Sequence, residues 1–503
     1  MPAEAPLLIL RADAGPGIGS GHASRLLALA EAWIDAGGRA KLLTVAPSPA
    51  LKVRAGFQGV EVLPLTAAYP DPADPAETTR VVSQAPKGTW IAVDGYGFDA
   101  AYLSALRAAG ARVLRVDDGP RGEIPCDAFL DQNPGAETST PRLAPETLAL
   151  LGPRWALLRS SFARAGEKRP AHAEARNVLI SFGGEDPADA TGLALRALRR
   201  VKSAFEAVVV IGPDNPRAEA LAKLAEGLPV RVERLADMPV LMGNADVALI
   251  GGGVTMLEAC AAGLPALVAT VAENQEAGAA SLAARGLVRS LGRARELTED
   301  AAALALDALL RDAPERARLS AAGRSAVDGR GATRAAAALL ALAEPRLDGD
   351  WARLRPAVPE DALDVWRIAN DPSVRASSFR KEPIPLPVHL KWFEAQLKND
   401  EGRFWVIEAG HVVAGQVRYA RAGDEAEVHY SVLGAFRGKG LGTLALARSR
   451  PLACRELGVK RLTGVVIAPN EPSERSFISA AWTRKGVETR DGASCSVFEA
   501  SCS

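Results

Sequence analysis

Residues 7–33, LLILRADAGPGIGSGHASRLLALAEAW, decide the fold. LLIL (7–10) is a short apolar run that reads as a buried strand. Glycines 15, 17, 19 and 21 form a turn, and the Leu- and Ala-rich segment from about Ser24 to Ala36 has helical periodicity. Strand, glycine turn and helix in that order open a parallel α/β unit. The rhythm continues through AKLLTV (40–45), TWIAVDGYG (89–97), a helix over Leu103 to Ala109, and ARVLRVDD (111–118). It stops in the polar stretch AGEKRPAHAEA (165–175) and restarts with NVLISFGG (177–184), a helix over Ala190 to Val201, AFEAVVVIG (204–212) and DVALIGGG (246–253). Two consecutive α/β units predict a two-lobed arrangement whose ligands lie beyond the carboxyl ends of the strands. AEPRLDGDWAR (343–353) resets the composition. A third domain follows, with a strand and helix in LRPAVPEDALDVWRIAND, a helix around His389 to Leu397, and strands FWVIEAG, HVVAGQVRYA and AEVHYSVLG. The expected boundaries are 1–164, 165–345 and 351–503.

The length of 503 residues fits about three domains at ~150 residues each. Sixty basic and sixty acidic side chains cancel, so no charge surplus draws the chain to nucleic acid or an anionic membrane. MPAEAPLLILRAD has no basic lead and too short an apolar run for a secretory signal, and a cytoplasmic protein is expected. The apolar stretch AAAALLALA (335–343) falls short of the ~20 residues that span a bilayer. Cys126, Cys260, Cys454, Cys495 and Cys502 form no C-x-x-C spacing, so reduced thiols are expected, and the five histidines lack metal-ligand spacing. No metal is expected.

His22 opens the first helix beside the glycine turn, aimed with the exposed amides. A histidine has an ordinary pKa of ~6.5 and can take a proton from water near neutral pH. Gly21 and Arg25 stand around it. In the second unit Gly183 and Gly184 follow one strand, and Gly252, Gly253 and Thr255 lie between another strand and a helix; such turns suit a diphosphate held by backbone amides. Glu258, one turn into that helix, could accept from both ribose hydroxyls. The D-x-D spacing at Asp348 and Asp350 lies in the linker, so no metal-dependent sugar-nucleotide site is indicated.

RADAGPGIGSGHASRLLALA (11–30), VDGYG (93–97), VDDGPRGEIPCDAFLDQN (116–133), LGPRWALLRSSF (151–162), SFGGEDP (181–187) and GGGVTMLEACAAGLPALVATVAENQ (251–275) together resemble the UDP-sugar hydrolase of pseudaminic acid biosynthesis. That resemblance implies a GT-B-like pair of tandem Rossmann domains. It also implies hydrolysis of UDP-2,4-diacetamido-2,4,6-trideoxy-β-L-altropyranose to UDP and free sugar. His22 matches the histidine that activates water, while Tyr96, Asn274 and Gln275 match cleft positions. A UDP-sugar glycosyltransferase, and a hydrolase acting on a related sugar of the legionaminic or bacillosamine type, remain the alternatives.

In the third domain the strand AEVHYSV leads into Arg437-Gly-Lys-Gly-Leu-Gly and a helix. Amides from Gly438 through Gly440 and Gly442 to Thr443 can wrap a pyrophosphate, with Arg437 and Lys439 adding charge. With VVIAPNEPSERSF (465–477) this resembles a GNAT-family N-acetyltransferase, an α/β domain that uses acetyl-CoA as cosubstrate. The resemblance implies that Val432 offers an amide to the thioester oxygen and that Asn470 and Ser473 form the N-x-x-S motif. Glu427 is the expected base, with His429 as the alternative. Where many relatives carry a tyrosine acid this chain has Phe477, which leaves the acid unassigned and a degenerate acetyl-CoA-binding module conceivable. Residues 369–408 resemble sugar-nucleotide amine acetyltransferases, with Trp392, Phe393 and Phe379 as a possible substrate wall. The two activities expected are N-acetylation of UDP-4-amino-4,6-dideoxy-N-acetyl-β-L-altrosamine and then removal of UDP.

Overall fold

A computed structural model describes residues 5–15, 21–119, 122–167, 174–184, 186, 188–212, 215–234 and 236–502. The chain divides into two compact units, Met1–Arg142 with Ala149–Ala336, and Leu143–Leu148 with Ala337–Ser503. The short segment Leu143–Leu148 therefore belongs with the C-terminal unit, which sequence periodicity did not suggest.

The first unit holds two sheets. In one, the strand order is Glu61–Leu65, Arg39–Val45, Leu7–Arg11, Trp90–Asp94, Arg112–Val116, Ala128–Asp131, Leu148–Leu151. In the other it is Val230–Glu233, Glu206–Val210, Asn177–Ser181, Val247–Gly251, Ala266–Thr270, Arg289–Arg293. Strands such as Leu8 to Leu10 and Val247 to Ile250 are buried on both faces, which is why they read as unbroken apolar runs. Both sheets have the doubly wound Rossmann order, reversing direction beside their first strand. The reversal in the first sheet falls between Leu7–Arg11 and Trp90–Asp94, paired in parallel, and in the second between Asn177–Ser181 and Val247–Gly251. Ligands of such sheets are held at these crevices, where the motifs singled out from the sequence lie.

The second unit is a mixed sheet in the order Ala352–Pro356, Gly402–Ala409, Val412–Ala422, Glu425–Val432, Arg461–Ile467, Ala493–Ser501, Thr483–Arg490. Its one parallel pair, Glu425–Val432 with Arg461–Ile467, is hydrogen-bonded only from Glu425 to Val428, so the two strands part beyond Val428 and Gly464. The helix Leu441–Leu457 follows and ends at Gly458, whose φ of +63° suits glycine.

The expectation of reduced thiols is corrected at one pair. Cys454 and Cys502, 48 residues apart, form a disulfide, while Cys126, Cys260 and Cys495 are buried free thiols. The partners come from a helix and from the chain just past the last strand, so local spacing carries no trace of the pairing. Among the described residues no helix is long and apolar enough to cross a membrane.

Candidate active sites

The helix Gly21–Asp35 begins at the glycine turn, of which residues 16–20, including Gly17 and Gly19, lie outside the described residues. His22, expected to be aimed with the turn amides, is 9% exposed. Its Nδ1 lies 2.7 Å from Oδ1 of Asp94, the last residue of the strand Trp90–Asp94. A carboxylate can only accept, so this contact places a proton on Nδ1 and leaves Nε2 as the nitrogen turned from Asp94; Arg25 Nη2 stands 3.3 Å from the same Nδ1.

Arg25, one turn along, donates from Nη2 to the same Asp94 oxygen at 2.7 Å and from Nε to the other. Its Nη1 donates to Asp118 at 2.9 Å. Burial opposes the Arg25 charge, but Asp94 and Asp118 hold its pKa above the ordinary value. Arg25, expected on substrate, is thus occupied in bracing two carboxylates. Tyr96 donates its hydroxyl to Asp118 at 3.1 Å and stands edge-on to His22 with ring centroids 5.0 Å apart. Burial works to raise Asp118, yet Arg25, Asn133 and Tyr96 outweigh it and hold the carboxyl below its usual range. Asn274 donates to the Tyr96 hydroxyl at 3.4 Å. Asn133 bridges Asp118 and Asp131, and burial pushes Asp131 up to about 6.

Asp94, Asp118 and Asp131 were not singled out in the sequence. Asp94 and Asp131 close strands and Asp118 lies two residues past one, in VDGYG, LDQN and VDDG, and an acid at the carboxyl end of an apolar strand is the signal that could have found them.

In the second sheet Gly183 turns at φ +88° with Gly184 after it. A Cβ on Gly212 would stand 2.1 Å from the Gly184 carbonyl, so the two loops touch backbone to backbone. The Gly252 amide is already taken: it donates to Gln275 Oε1 at 3.1 Å, as Val271 N does at 3.0 Å. Gln275 therefore braces the turn rather than reaching into the cleft. The helix Val254–Ala261 has no side-chain cap on Gly253, which leaves first-turn amides, Thr255 among them, for an anion. Glu258 lies in that helix, and burial pushes its carboxyl up to about 7 against the charges of Arg159 and Arg54.

In the second unit Gly438 and Gly440 adopt φ of +75° and +87°, and Gly440 precedes the helix Leu441–Leu457 without a side-chain cap. These positions, with Gly442 and Thr443 in the first turn, fit the pyrophosphate of acetyl-CoA. Arg437 and Lys439 are engaged elsewhere. Arg437 donates to Asp371 at 2.9 Å and to Ser373, and Lys439 donates to the Glu344 carbonyl. Amides rather than these two cations thus supply the free donors. Val432 stands in the stretch that has left the neighbouring strand. Asn470 caps the helix Glu471–Ser479 by accepting from Ser473 N at 3.2 Å, and Ser473 Oγ lies 2.9 Å from the Tyr430 hydroxyl.

Glu427 accepts from Arg490 through both oxygens, at 2.9 and 3.0 Å. His429 Nε2 is 3.5 Å from Glu427, and its pKa is pushed well below the ordinary range by burial, then by Arg418. Phe477 is 2% exposed; its ring stacks on Phe498 and fills the space where a Gly464 Cβ would be, 2.5 Å from two ring carbons. It serves the core and stands edge-on to Tyr430 with ring centroids 5.9 Å apart. Of the expected wall, Phe393 is core at 2% exposure, Phe379 is 39% exposed, and Trp392 is partly buried.

Residues 352–479 match the family described as acetyltransferase (GNAT) domain. The C-terminal unit is a GNAT domain. The chain is similar to the spore coat polysaccharide biosynthesis protein SpsG of Bacillus subtilis (strain 168), 30% identical over 200 residues, covering 39% of this chain and 59% of SpsG. The chain thus spans less than two thirds of that relative. Among solved structures, Acinetobacter baumannii MurG is 14% identical, covering 67% of this chain and 99% of MurG with a TM-score of 0.49. An N-acetyltransferase from Staphylococcus aureus Mu50 is 21% identical, covering 30% of this chain and 99% of its own with a TM-score of 0.28. The fold is tandem Rossmann-type α/β domains followed by a GNAT domain.

Proposed function

We propose that this chain is a bifunctional sugar-nucleotide enzyme. The GNAT domain acetylates the 4-amine of UDP-4-amino-4,6-dideoxy-N-acetyl-β-L-altrosamine, and the N-terminal unit hydrolyses UDP-2,4-diacetamido-2,4,6-trideoxy-β-L-altropyranose. The observation that carries the reading is the His22–Asp94 contact of 2.7 Å at the first sheet's switch point.

In the hydrolytic step a water attacks the anomeric carbon, its proton passes to His22 Nε2, and the bond from that carbon to the UDP oxygen breaks. Asp94 stabilises the imidazolium that forms. Tyr96 and Asn274 orient sugar and water. First-turn amides at Gly253 to Thr255, with Gly183 and Gly184, take the charge that develops on the departing diphosphate. The relationship to a polysaccharide biosynthesis protein supports a sugar substrate.

In the acetyl step acetyl-CoA supplies the thioester. Glu427, through water, takes one proton from the attacking ammonium, and Arg490 fixes the carboxylate's orientation. The amine nitrogen bonds to the acetyl carbon as its bond to sulfur breaks, and coenzyme A leaves as a thiolate that receives the nitrogen's second proton through solvent. His429, adjacent, is the alternative base. The parted strand at Val432 receives the thioester oxygen, and the uncapped turn at Gly440 the pyrophosphate.

The test is mass spectrometry of the full chain with the UDP-4-amino sugar, with and without acetyl-CoA. A gain of one acetyl followed by loss of UDP is expected; an unchanged substrate in both arms overturns the reading.

Glu258 gives a pH-dependent prediction. A carboxyl raised from 4.5 to about 7 binds its proton more tightly folded than unfolded, so it costs stability as pH rises across that interval. Only the ionised form accepts from both ribose hydroxyls. UDP affinity is expected to fall about tenfold between pH 8 and pH 6 beyond the change seen in Glu258→Gln. The ligand-free variant should gain on the order of 2 kcal/mol at pH 8. Calorimetric titration and thermal melting read both; parallel pH profiles for the two proteins would remove Glu258 from the ribose.

A further inference from the structure

On the sheet face that carries Glu427 and His429, one guanidinium has an aromatic neighbour but no hydrogen-bonded acceptor among the described residues. Arg418 sits opposite His429 in the antiparallel register, so both side chains share that face. Arg490 is bound through two nitrogens to Glu427. Arg418, by contrast, makes no hydrogen bond or ion pair among the described residues, and its guanidinium lies 5.5 Å from the centre of the Trp392 ring. Burial lowers its pKa, with Glu427 the opposing charge. The other charged groups of that face are engaged with one another: Glu427 with Arg490, Glu488 3.8 Å from Arg490, and Glu425 with Arg461. None of these carboxylates accepts a hydrogen bond from Arg418 among the described residues.

A partly desolvated guanidinium without an acceptor is costly, and the ring of Trp392 offsets only a fraction of that cost. The group that suits such a guanidinium is an anion. A guanidinium offers paired donors that match two phosphate oxygens. We infer that Arg418, backed by Trp392 and flanked by His429, forms an anion subsite that holds the diphosphate of the acceptor in the acetyl-transfer site. The GNAT domain would then select a nucleotide-linked amine over the free amino sugar. This rests on the acetyl-transfer reading above and adds the residue that recognises the nucleotide part of the acceptor.

Two measurements on the full chain test it. In the first, acetyl transfer is followed with a UDP-linked amino sugar and with the same amino sugar lacking UDP. The wild type is expected to favour the UDP-linked acceptor, and Arg418→Gln to raise its KM about tenfold or more while leaving the KM for the free sugar near the wild-type value. Arg418→Lys, which keeps charge but loses the fork, falls between. Equal losses on both acceptors, or none on either, overturn the inference. In the second, the histidine resonances of isotope-labelled protein are followed by NMR as inorganic pyrophosphate is added, with His429→Gln assigning the signal. A His429 resonance that moves in the wild type and stays still in Arg418→Gln supports the subsite. A resonance unmoved in the wild type overturns it. The second measurement needs no turnover, so a protein that acetylates neither sugar would count against the proposed activity while the anion subsite is still decided.

Discussion

His22→Ala is expected to stop UDP release from the nucleotide sugar while UDP itself still binds. The side chain removed is the one whose free ring nitrogen, Nε2, takes the proton from water, and positioned acid–base groups are worth about 10²- to 10⁴-fold. Nothing proposed to hold UDP depends on His22, because the uncapped turn at Gly253 and Glu258 lie in the other sheet's crevice. Coupled detection of UDP together with calorimetric binding separates the two effects. Turnover within tenfold of the wild type would remove His22 from the mechanism, and loss of UDP binding would mean that it holds the nucleotide.

The second large effect is expected from Asp94→Asn. Asp94 is fully buried, accepts from His22 Nδ1, and takes two donors from Arg25. An amide in its place can present a hydrogen to Nδ1, which favours the wrong tautomer and turns the lone pair away from water. A fall in kcat of about 10²-fold or more is expected, with KM changed far less. Arg25 keeps its bond to Asp118, so the helix start stays anchored on one side. Recovery of activity in Asp94→Glu, or a kcat pH profile whose acidic limb moves, would mark Asp94 as acting through the imidazole. Equal losses in folding stability and activity, with no change in the profile, would mark it as structural only.

The Rossmann sheets were legible because buried parallel strands must be apolar on both faces and glycine turns must follow them, both local properties of LLIL, NVLIS and VALIGGG. The partners were less so. Asp94, Asp118 and Asp131 lie in quoted motifs, but nothing near them in the chain says that one arginine on the first helix gathers two of them. Arg437 and Lys439 read as phosphate ligands by position, while Asp371, Ser373 and the Glu344 carbonyl, distant in sequence, claim them. Gln275 shows the same limit: a polar residue at the lip of a cleft can equally serve the loop beneath it. Phe477 is the converse. Its departure from tyrosine is plain in the sequence, but only Gly464 and Phe498 explain what the ring is for.

The segment Leu143–Leu148 has a bearing on how the gene can be dissected. It belongs to the C-terminal unit although nearly two hundred residues separate it from Ala337. The Pro145 carbonyl lies so close to Gly434 that a Cβ there would come within 1.9 Å of it. Ribosomes make this strip long before the sheet that receives it, so the strip must wait for its partner. A clone of residues 351–503 alone would lack it, leaving the backbone beside Gly434 bare at the loop that leads to the glycine turn. Adding the strip back as a synthetic peptide is the natural complementation assay.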